Sequence, residues 1–314
     1  MKKYAKTLVA ALLLVATATV FAKYLHAHPE VLHQFKHLKW STLVVLLALY
    51  AVWWGALAAV LQVTMHLYNK SMPLRENVML SSYSSLLNFF GPGQSGPGLR
   101  AVYLKKKHGL GIKKYIFATL IYYAFYAIIS AGMLFAGSLA WWKTVLGVLC
   151  ASAASWVVLW WYARRSQFQA EAGMQLPILG WLFVATVVQA LAQFIIYFVE
   201  ISTVKQGVGI GQALTYTGAA NFALFVALTP GAIGIRESFL LFTEHLHHLG
   251  SGVIVAANVI DRAAYLVVLG ILFIVVLALH AGKKLKLHQL TSEVTAEKPD
   301  TKLVAGNSDK TDQT

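Results

Sequence analysis

Long apolar runs, separated by short polar or basic stretches, make up most of the chain. A helix crosses the hydrocarbon core of a membrane with roughly 20 apolar residues. Runs of this kind lie at residues 8–21, 41–65, 115–137, 145–162, 177–200 and 253–280. The pattern predicts an all-α integral membrane protein with about six transmembrane helices. Three lysines precede the first run, which is typical of a signal peptide or of an uncleaved first helix; the later spans favour the helix.

Two further segments are softer, because serine, threonine and asparagine interrupt their apolar residues. They cover residues 77–90 and 211–234, and each leads into a break with the pattern Pro-Gly-x-x-Gly. Proline lacks a backbone N–H and stops a helix. The residues of the two breaks are Pro92, Gly93, Gly96, Pro230, Gly231 and Gly234. Broken backbone at membrane depth is tolerated only against protein or a wet cavity, so we expect two re-entrant helical hairpins.

The positions of the basic residues predict the topology. Lys and Arg are concentrated in the cytoplasmic loops of membrane proteins. Here they flank the first soft segment on both sides, from Lys70 before it to Lys114 after it. If both soft segments are re-entrant, most basic residues fall on the side of the two termini. We therefore expect a multi-pass protein of the cell (inner) membrane with cytoplasmic N- and C-termini.

The order of spans and hairpins suggests an internal repeat. Each half contains two spans, a hairpin and a third span, and the two halves start on opposite sides. Such an inverted-topology repeat is common in transporters, with the binding site near the midplane at the broken helices. The predicted membrane domain covers residues 1–287, with halves at about 1–138 and 139–287, and residues 288–314 are expected to form a disordered polar tail.

Composition excludes several functional classes. The chain is 58% hydrophobic and 12% charged, whereas soluble proteins carry roughly 25% charged residues. The net charge of +14 therefore indicates a membrane surface and not nucleic acid, since no polar domain is present to bind it. Cys150 is the only cysteine, which excludes an intrachain disulfide and a thiolate cluster. No cofactor motif occurs, including the Gly-x-x-x-x-Gly-Lys-Ser/Thr loop that binds ATP.

Residues 238–249 form a short amphipathic stretch after the second break. We expect it to lie at the membrane interface, with Glu244, His245, His247 and His248 on the wet side. Some of these side chains have helical ligand spacing, but the His-Glu-x-x-His pattern is absent. No metal site is expected.

Charged residues inside apolar segments are candidates for function, because a charge at the membrane centre costs roughly 2.5–3.5 kcal/mol or more. Arg236 follows the second break, and its guanidinium suits a bidentate contact with a phosphate headgroup. Glu237 is expected to orient Arg236 or to receive a cationic group. Asp261 and Arg262 lie in the last span, point in different directions and need separate partners, with Glu237 or Glu200 possible for Arg262. The structural alternatives are helix capping and attachment of the last span to its neighbour.

Four more polar residues belong to the candidate site. Arg100 precedes the basic run of Lys105 to Lys107. This basic cluster either anchors the chain on anionic lipid, or Arg100 binds a headgroup at the cytoplasmic entrance of the cavity. Gln189, Gln193 and Asn221 lie in apolar segments, where they either line a polar path or hydrogen-bond helices together.

The second break, with the sequence Pro230-Gly231-Ala232-Ile233-Gly234-Ile235-Arg236-Glu237, is similar to a known signature. It resembles that of the flippase-type transmembrane domain of lysylphosphatidylglycerol synthases, and the first break with Arg100 looks like that family's earlier signature. Asp261-Arg262 lies where the family tends to place an Arg. The resemblance covers roughly residues 5 to 285 and implies a stand-alone relative without the aminoacyltransferase domain. The family often has an acidic-basic pair where this chain has Ile121-Tyr122-Tyr123-Ala124.

The resemblance implies a transporter that moves an anionic phospholipid or a polyprenyl-linked lipid between leaflets. No catalytic motif is recognisable, so we do not expect an enzyme. One alternative is a polyprenyl-pyrophosphate phosphatase, although Ser95 is followed by Gly96 and not by the Arg of that motif. Another is an accessory subunit of a membrane glycosyl- or aminoacyl-transferase. The expected partners are therefore a membrane lipid, and a second copy of the chain or a membrane enzyme.

Overall fold

The computed structural model describes residues 39–90, 95–136, 142–143, 146–151, 153–154, 157, 175, 177–225, 232 and 235–296, with side chains as far as residue 279. All regular secondary structure in these residues is helical. Besides the helical residues between 142 and 157, the helices with defined bounds are α1 (Trp40–His66), α2 (Leu74–Phe90), α3 (Ser95–His108), α4 (Ile112–Phe135), α5 (Ile178–Val204), α6 (Ile210–Phe225), α7 (Ile235–Phe242), α8 (Glu244–His247) and α9 (Ser251–Ala296).

Four helices are long and apolar enough to cross a membrane. They are α1, α4, α5 and the part of α9 from Ser251 to Leu279, which confirms four of the predicted spans. The predicted span at 8–21 lies outside the described residues, as does half of the span at 145–162. Helix α9 ends at Ala296, within the segment predicted as a tail.

The chain divides into two compact units, residues 1–273 and 274–314. In the first unit, two apolar clusters hold the helices together. One surrounds Tyr50, Tyr197 and Leu269, and the other surrounds Leu61 and Phe125. The second unit begins with the remainder of α9.

Helices α2 and α3 form an antiparallel hairpin. Near its closed end, Ser95 Oγ donates a hydrogen bond to Leu87 O at 2.6 Å. A Cβ atom at Gly96 would lie only 2.5 Å from Ser84 O, so the two helices touch through their backbones at this glycine. At the open end, Glu76 in the first turn of α2 bonds to the last turn of α3. The chain therefore enters and leaves this hairpin at the same end.

The open end of the hairpin is held by charge. Lys107 Nζ lies 2.6 Å from Glu76 Oε2, His108 Nε2 lies 2.7 Å from Glu76 Oε1, and Tyr103 donates to the same carboxylate at 2.9 Å. These charges are favourable to both helix dipoles, because the acidic side chain is at the N-terminus of α2 and the basic side chains are at the C-terminus of α3. Lys70 donates to His108 O at 2.6 Å and ties this end to the end of α1.

Glu76 makes an acid-sensitive contribution to stability. Partial burial raises its pKa, but hydrogen bonds from Lys107, His108 and Tyr103 outweigh this effect and lower the pKa from 4.5 to about 2. The ionised carboxylate therefore stabilises the folded state above pH 4.5, and the contribution is lost as the pH falls towards 2. We expect the wild type to melt a few degrees above Glu76→Gln at pH 7 but together with it at pH 2. A gap of the same size at both pH values would contradict this assignment.

Helices α6, α7 and α8 form a second hairpin. Helix α7 packs along α6, and at the open end Gln212 Nε2 donates to His247 O at 3.1 Å. The break itself lies mostly outside the described residues, which exclude Pro230, Gly231 and Gly234, as well as Pro92 and Gly93 in the first hairpin. Ala232 is described and has φ 55°, a left-handed conformation that is costly for a residue with a Cβ.

The prediction that His247 lies on the wet side of an interfacial helix is wrong. Its side chain is fully buried, with the ring packed edge-on against Tyr216 at 5.5 Å. The Nε2 atom lies 3.1 Å from Leu240 O, so the ring closes the turn between α7 and α8. Burial lowers the pKa of His247 below its ordinary value of 6.5, which keeps the ring neutral at physiological pH.

The two hairpins open towards opposite ends of the helix bundle. Helices α1 and α5 pack against each other, and Gln175 N donates to Leu67 O at 2.9 Å, so the end of α1 meets the start of α5. The first hairpin opens at this end, through Lys70. The second opens beyond Lys205, at the other end of α5.

Helices α4 and α6 pack closely at Gly218. A Cβ atom there would lie 2.6 Å from both Leu134 Cα and Ser130 O. Gly218→Ala must push the helices apart, so we expect it to lower the free energy of unfolding by roughly 1–3 kcal/mol. Chemical denaturation in detergent measures this, with Gly180→Ala as the control because a Cβ there meets nothing within 4 Å. Two variants of equal stability would rule out this contact.

Candidate functional site

A cavity of about 250 Å³ lies between the two hairpins and is lined by residues from all four spans and both hairpins. The structure brings the predicted polar residues together in its wall. Those that line it are Arg100, Gln189, Gln193, Asn221, Arg236, Asp261 and Arg262. The remaining predicted residue, Glu237, bonds to Arg262. A cavity of this size has room for a small polar group.

Two ion pairs join α7 to α9. Arg236 Nη2 lies 2.5 Å from Asp261 Oδ2, and Arg262 Nε donates to Glu237 Oε1 at 3.1 Å. Both pairs join residues 25 positions apart, so an Arg-Glu dipeptide on one helix faces an Asp-Arg dipeptide on the other. The carboxylate bonded to Arg236 is that of Asp261, and Glu237 bonds to Arg262, which was one of the two partners considered for that arginine.

The Arg236–Asp261 pair belongs to a buried network. Tyr197 Oη accepts a hydrogen bond from Arg236 at 3.2 Å, and Tyr50 Oη donates to Asp261 Oδ1 at 2.6 Å. The Arg236 and Asp261 side chains are each about nine-tenths buried. A buried pair with further hydrogen bonds is the arrangement in which ionic groups are tolerated away from water. The Arg262–Glu237 pair is more accessible, since the Glu237 side chain is 23% exposed.

Arg100 differs from the other two arginines of the cavity. It is only 7% exposed, and its Nε atom has no hydrogen-bond partner among the described residues. Within the same residues, no carboxylate makes a salt bridge with it. Lys105, further along α3, is exposed, so Arg100 is not part of a surface cluster with the lysines that follow it. The cavity therefore contains one buried cation without a counter-ion in the described part of the chain.

The amide side chains both line the cavity and join helices. Tyr122 Oη donates to Gln189 Oε1 at 2.9 Å, and Tyr126 Oη donates to Asn221 Oδ1 at 3.0 Å. Asn221 Nδ2 also donates to Ser130 Oγ at 3.2 Å. Gln189 and Asn221 therefore bond α5 and α6 to α4 and also line the cavity, and Gln193 lines it as well.

The described residues contain no group of three or more His, Cys, Asp or Glu side chains placed to hold a metal ion. What the wall offers is a fixed set of hydrogen-bond donors beside apolar surface. Guanidinium groups and tyrosine hydroxyls of this kind suit a phosphate or another oxyanion.

The sequence of this chain matches one known protein family. The model of the lysylphosphatidylglycerol synthase TM region matches residues 5–273, which is most of the chain. The chain belongs to this family. The resemblance drawn from the second Pro-Gly break is thereby confirmed, and the chain is a multi-pass membrane protein with four candidate spans in its described part. Comparisons with curated proteins and with solved structures gave no significant match.

Sequence reasoning missed part of the site of this family member. Tyr50, Tyr197 and Tyr265 line the cavity but were not among the predicted residues. Glu200 is not among the lining residues, and its sequence position suggested only a possible partner for Arg262. The available signal was a carboxylate near the end of an apolar span, which is by default a candidate for function.

Proposed function

We propose that this protein moves an anionic lipid headgroup between the two leaflets, with the headgroup in the cavity and the acyl chains in the bilayer. The lipid is a phospholipid or a polyprenyl-linked lipid whose headgroup contains a phosphate. The observation that carries the proposal is Arg100, a buried cation that lines the cavity without a carboxylate partner in the described residues.

The buried charge of Arg100 would be stabilised by an anionic ligand. An isolated charge in a medium of low dielectric constant is strongly disfavoured unless it is paired. A phosphate group would pair with it through two parallel hydrogen bonds, which is the arrangement that guanidinium groups favour. Tyr122 and Tyr123 lie near enough to Arg100 to feel its charge, and both line the cavity. The Tyr122 hydroxyl already donates to Gln189, so it would have to exchange that hydrogen bond for one to a phosphate oxygen.

The two hairpins suit movement between leaflets. Arg100 comes from the second arm of one hairpin and Arg236 from the second arm of the other. The hairpins open at opposite ends of the bundle, as expected for re-entrant segments in an inverted-topology repeat. Each hairpin would then control access from one leaflet. A headgroup would pass from the arginine of one hairpin to that of the other.

Reconstitution tests the proposal. The purified full chain is placed in vesicles of phosphatidylethanolamine and phosphatidylglycerol that contain a trace of headgroup-labelled phosphatidylglycerol. A membrane-impermeant quencher then reports how fast label leaves the inner leaflet. We expect movement well above that of protein-free vesicles and of vesicles with an unrelated membrane protein. Rates equal to those two controls would overturn the proposal for this lipid class, provided that labelled polyprenyl phosphate also stays in place.

A further inference from the structure

Glu200 is a buried acidic residue that belongs to neither of the two ion pairs described above. It lies in α5 and is 1% exposed. Its Oε1 atom is buried and has no hydrogen-bond partner in the described residues. It does not line the cavity itself but lies among groups that do.

Five ionisable groups lie within electrostatic reach of Glu200. They are the neutral hydroxyls of Tyr50 on α1, Tyr197 on α5 and Tyr216 on α6, the guanidinium of Arg236 on α7 and the carboxylate of Asp261 on α9. The only cation in this group is Arg236, and its charge is already matched by Asp261 at 2.5 Å. Two carboxyl groups therefore share one guanidinium, so a second carboxylate at this depth would be an unmatched buried charge.

We propose that Glu200 carries a proton, and that Glu200, Tyr50 and Asp261 together form a proton-exchange site behind the cavity wall. With Glu200 neutral, the charges of Arg236 and Asp261 cancel and the cluster has no net charge. The hydroxyl of Tyr50 is the link, because it donates to Asp261 Oδ1 at 2.6 Å and is one of the ionisable groups within electrostatic reach of Glu200.

Transfer of the proton needs two coupled steps. The O–H bond of Tyr50 breaks and its proton joins Asp261 Oδ1, while the O–H bond of Glu200 breaks and its proton joins Tyr50 Oη. Tyr50 is regenerated, Glu200 becomes a carboxylate and Asp261 becomes neutral. One proton has moved and the charge of the cluster is unchanged, so no other reactant is needed.

This exchange would give lipid movement a coupling ion, a step that rests on the proposed function. A phosphate that binds Arg236 replaces Asp261 as its counter-ion. Asp261 is then an unmatched buried carboxylate, which favours uptake of one proton from outside the cluster. Anion binding at Arg236 and proton uptake would thus favour each other.

Infrared spectroscopy of the full chain in lipid nanodiscs tests the proton site without any lipid transport. At neutral pH we expect the carbonyl stretch of a protonated carboxyl group. The band should disappear in Glu200→Gln and persist in Glu244→Gln, which changes an acid at the far end of the second hairpin. It should also disappear in Asp261→Asn, because Glu200 then ionises as the counter-ion of Arg236. Tyr50→Phe should keep the band but slow its isotopic shift in heavy water.

A band that is absent from the wild type, or that survives Glu200→Gln, would overturn the assignment of the proton to Glu200. A band that survives Asp261→Asn would contradict the shared charge balance, and an isotopic shift unchanged by Tyr50→Phe would remove Tyr50 from the relay. If the band behaves as expected but labelled lipid does not move in vesicles, the proposed function fails and the proton site stands.

Discussion

Arg100→Gln is expected to reduce lipid movement at least 100-fold and, at the same time, to make the protein more stable. The first effect follows because the variant loses the buried cation of the cavity that has no counter-ion among the described residues. A 100-fold loss corresponds to about 2.7 kcal/mol of barrier height. The second follows because removing an unmatched buried charge relieves a penalty, which we expect to raise the free energy of unfolding by roughly 1–3 kcal/mol. The vesicle assay and chemical denaturation measure the two effects on the same preparations.

Lys105→Gln is the matched control for Arg100→Gln. It removes the same charge from the same helix, but Lys105 is exposed, so neither lipid movement nor stability should change by more than a small amount. An Arg100→Gln protein that is less stable than the wild type would mean that Arg100 has a structural role. In that case the argument for an external anion would no longer hold.

Breaking the Arg236–Asp261 pair is expected to have the largest effect on stability. Removing one partner of a buried ion pair costs roughly 3–5 kcal/mol, because the other charge is left unmatched. We expect Arg236→Gln to fall in this range and Asp261→Asn to cost less, since Glu200 is available as a second counter-ion for Arg236. The double variant should be more stable than Arg236→Gln alone. Unfolding of all three variants in denaturant gives the coupling energy of the pair.

The second ion pair provides the comparison. Glu237 and Arg262 join the same two helices, but Glu237 is partly exposed, so Arg262→Gln and Glu237→Gln should each cost less than Arg236→Gln. If single and double variants at Arg236 and Asp261 show additive losses, the two residues do not stabilise one another. The close contact between them would then have no energetic role.

The hydrophobic pattern was sufficient for the spans in the described residues. Residues 41–65, 115–137, 177–200 and 253–280 were predicted, and the spans are Trp40–His66, Ile112–Phe135, Ile178–Val204 and Ser251–Leu279. The sequence also located the two soft segments as helices that pack against protein, because serine and asparagine interrupt their apolar runs. The pattern did not predict that His247 would be buried, since the partner that covers it, Tyr216, comes from a different helix.

The charged and amide residues of the cavity wall were predictable from the sequence, but its tyrosines Tyr50, Tyr197 and Tyr265 and the Arg236–Asp261 pair were not. A charge or an amide in an apolar segment stands out in a sequence, which is why Arg236, Asp261 and Gln189 were selected. Which carboxylate meets which guanidinium depends on the register of α7 against α9, and the reversed order of the two dipeptides becomes informative only when that register is known. In the same way, Arg100 and Lys105 look alike in the sequence, and only their burial separates them.

The central claim is that the cavity selects an anionic headgroup through Arg100. The most direct measurement compares headgroup-labelled phosphatidylglycerol with phosphatidylcholine bearing the same label, in vesicles that contain either the wild type or Arg100→Gln. We predict that the wild type moves the anionic lipid faster than the zwitterionic one, and that the variant moves both at the same low rate. Equal rates for the two lipids in the wild type, or a preference that survives in Arg100→Gln, would contradict the account.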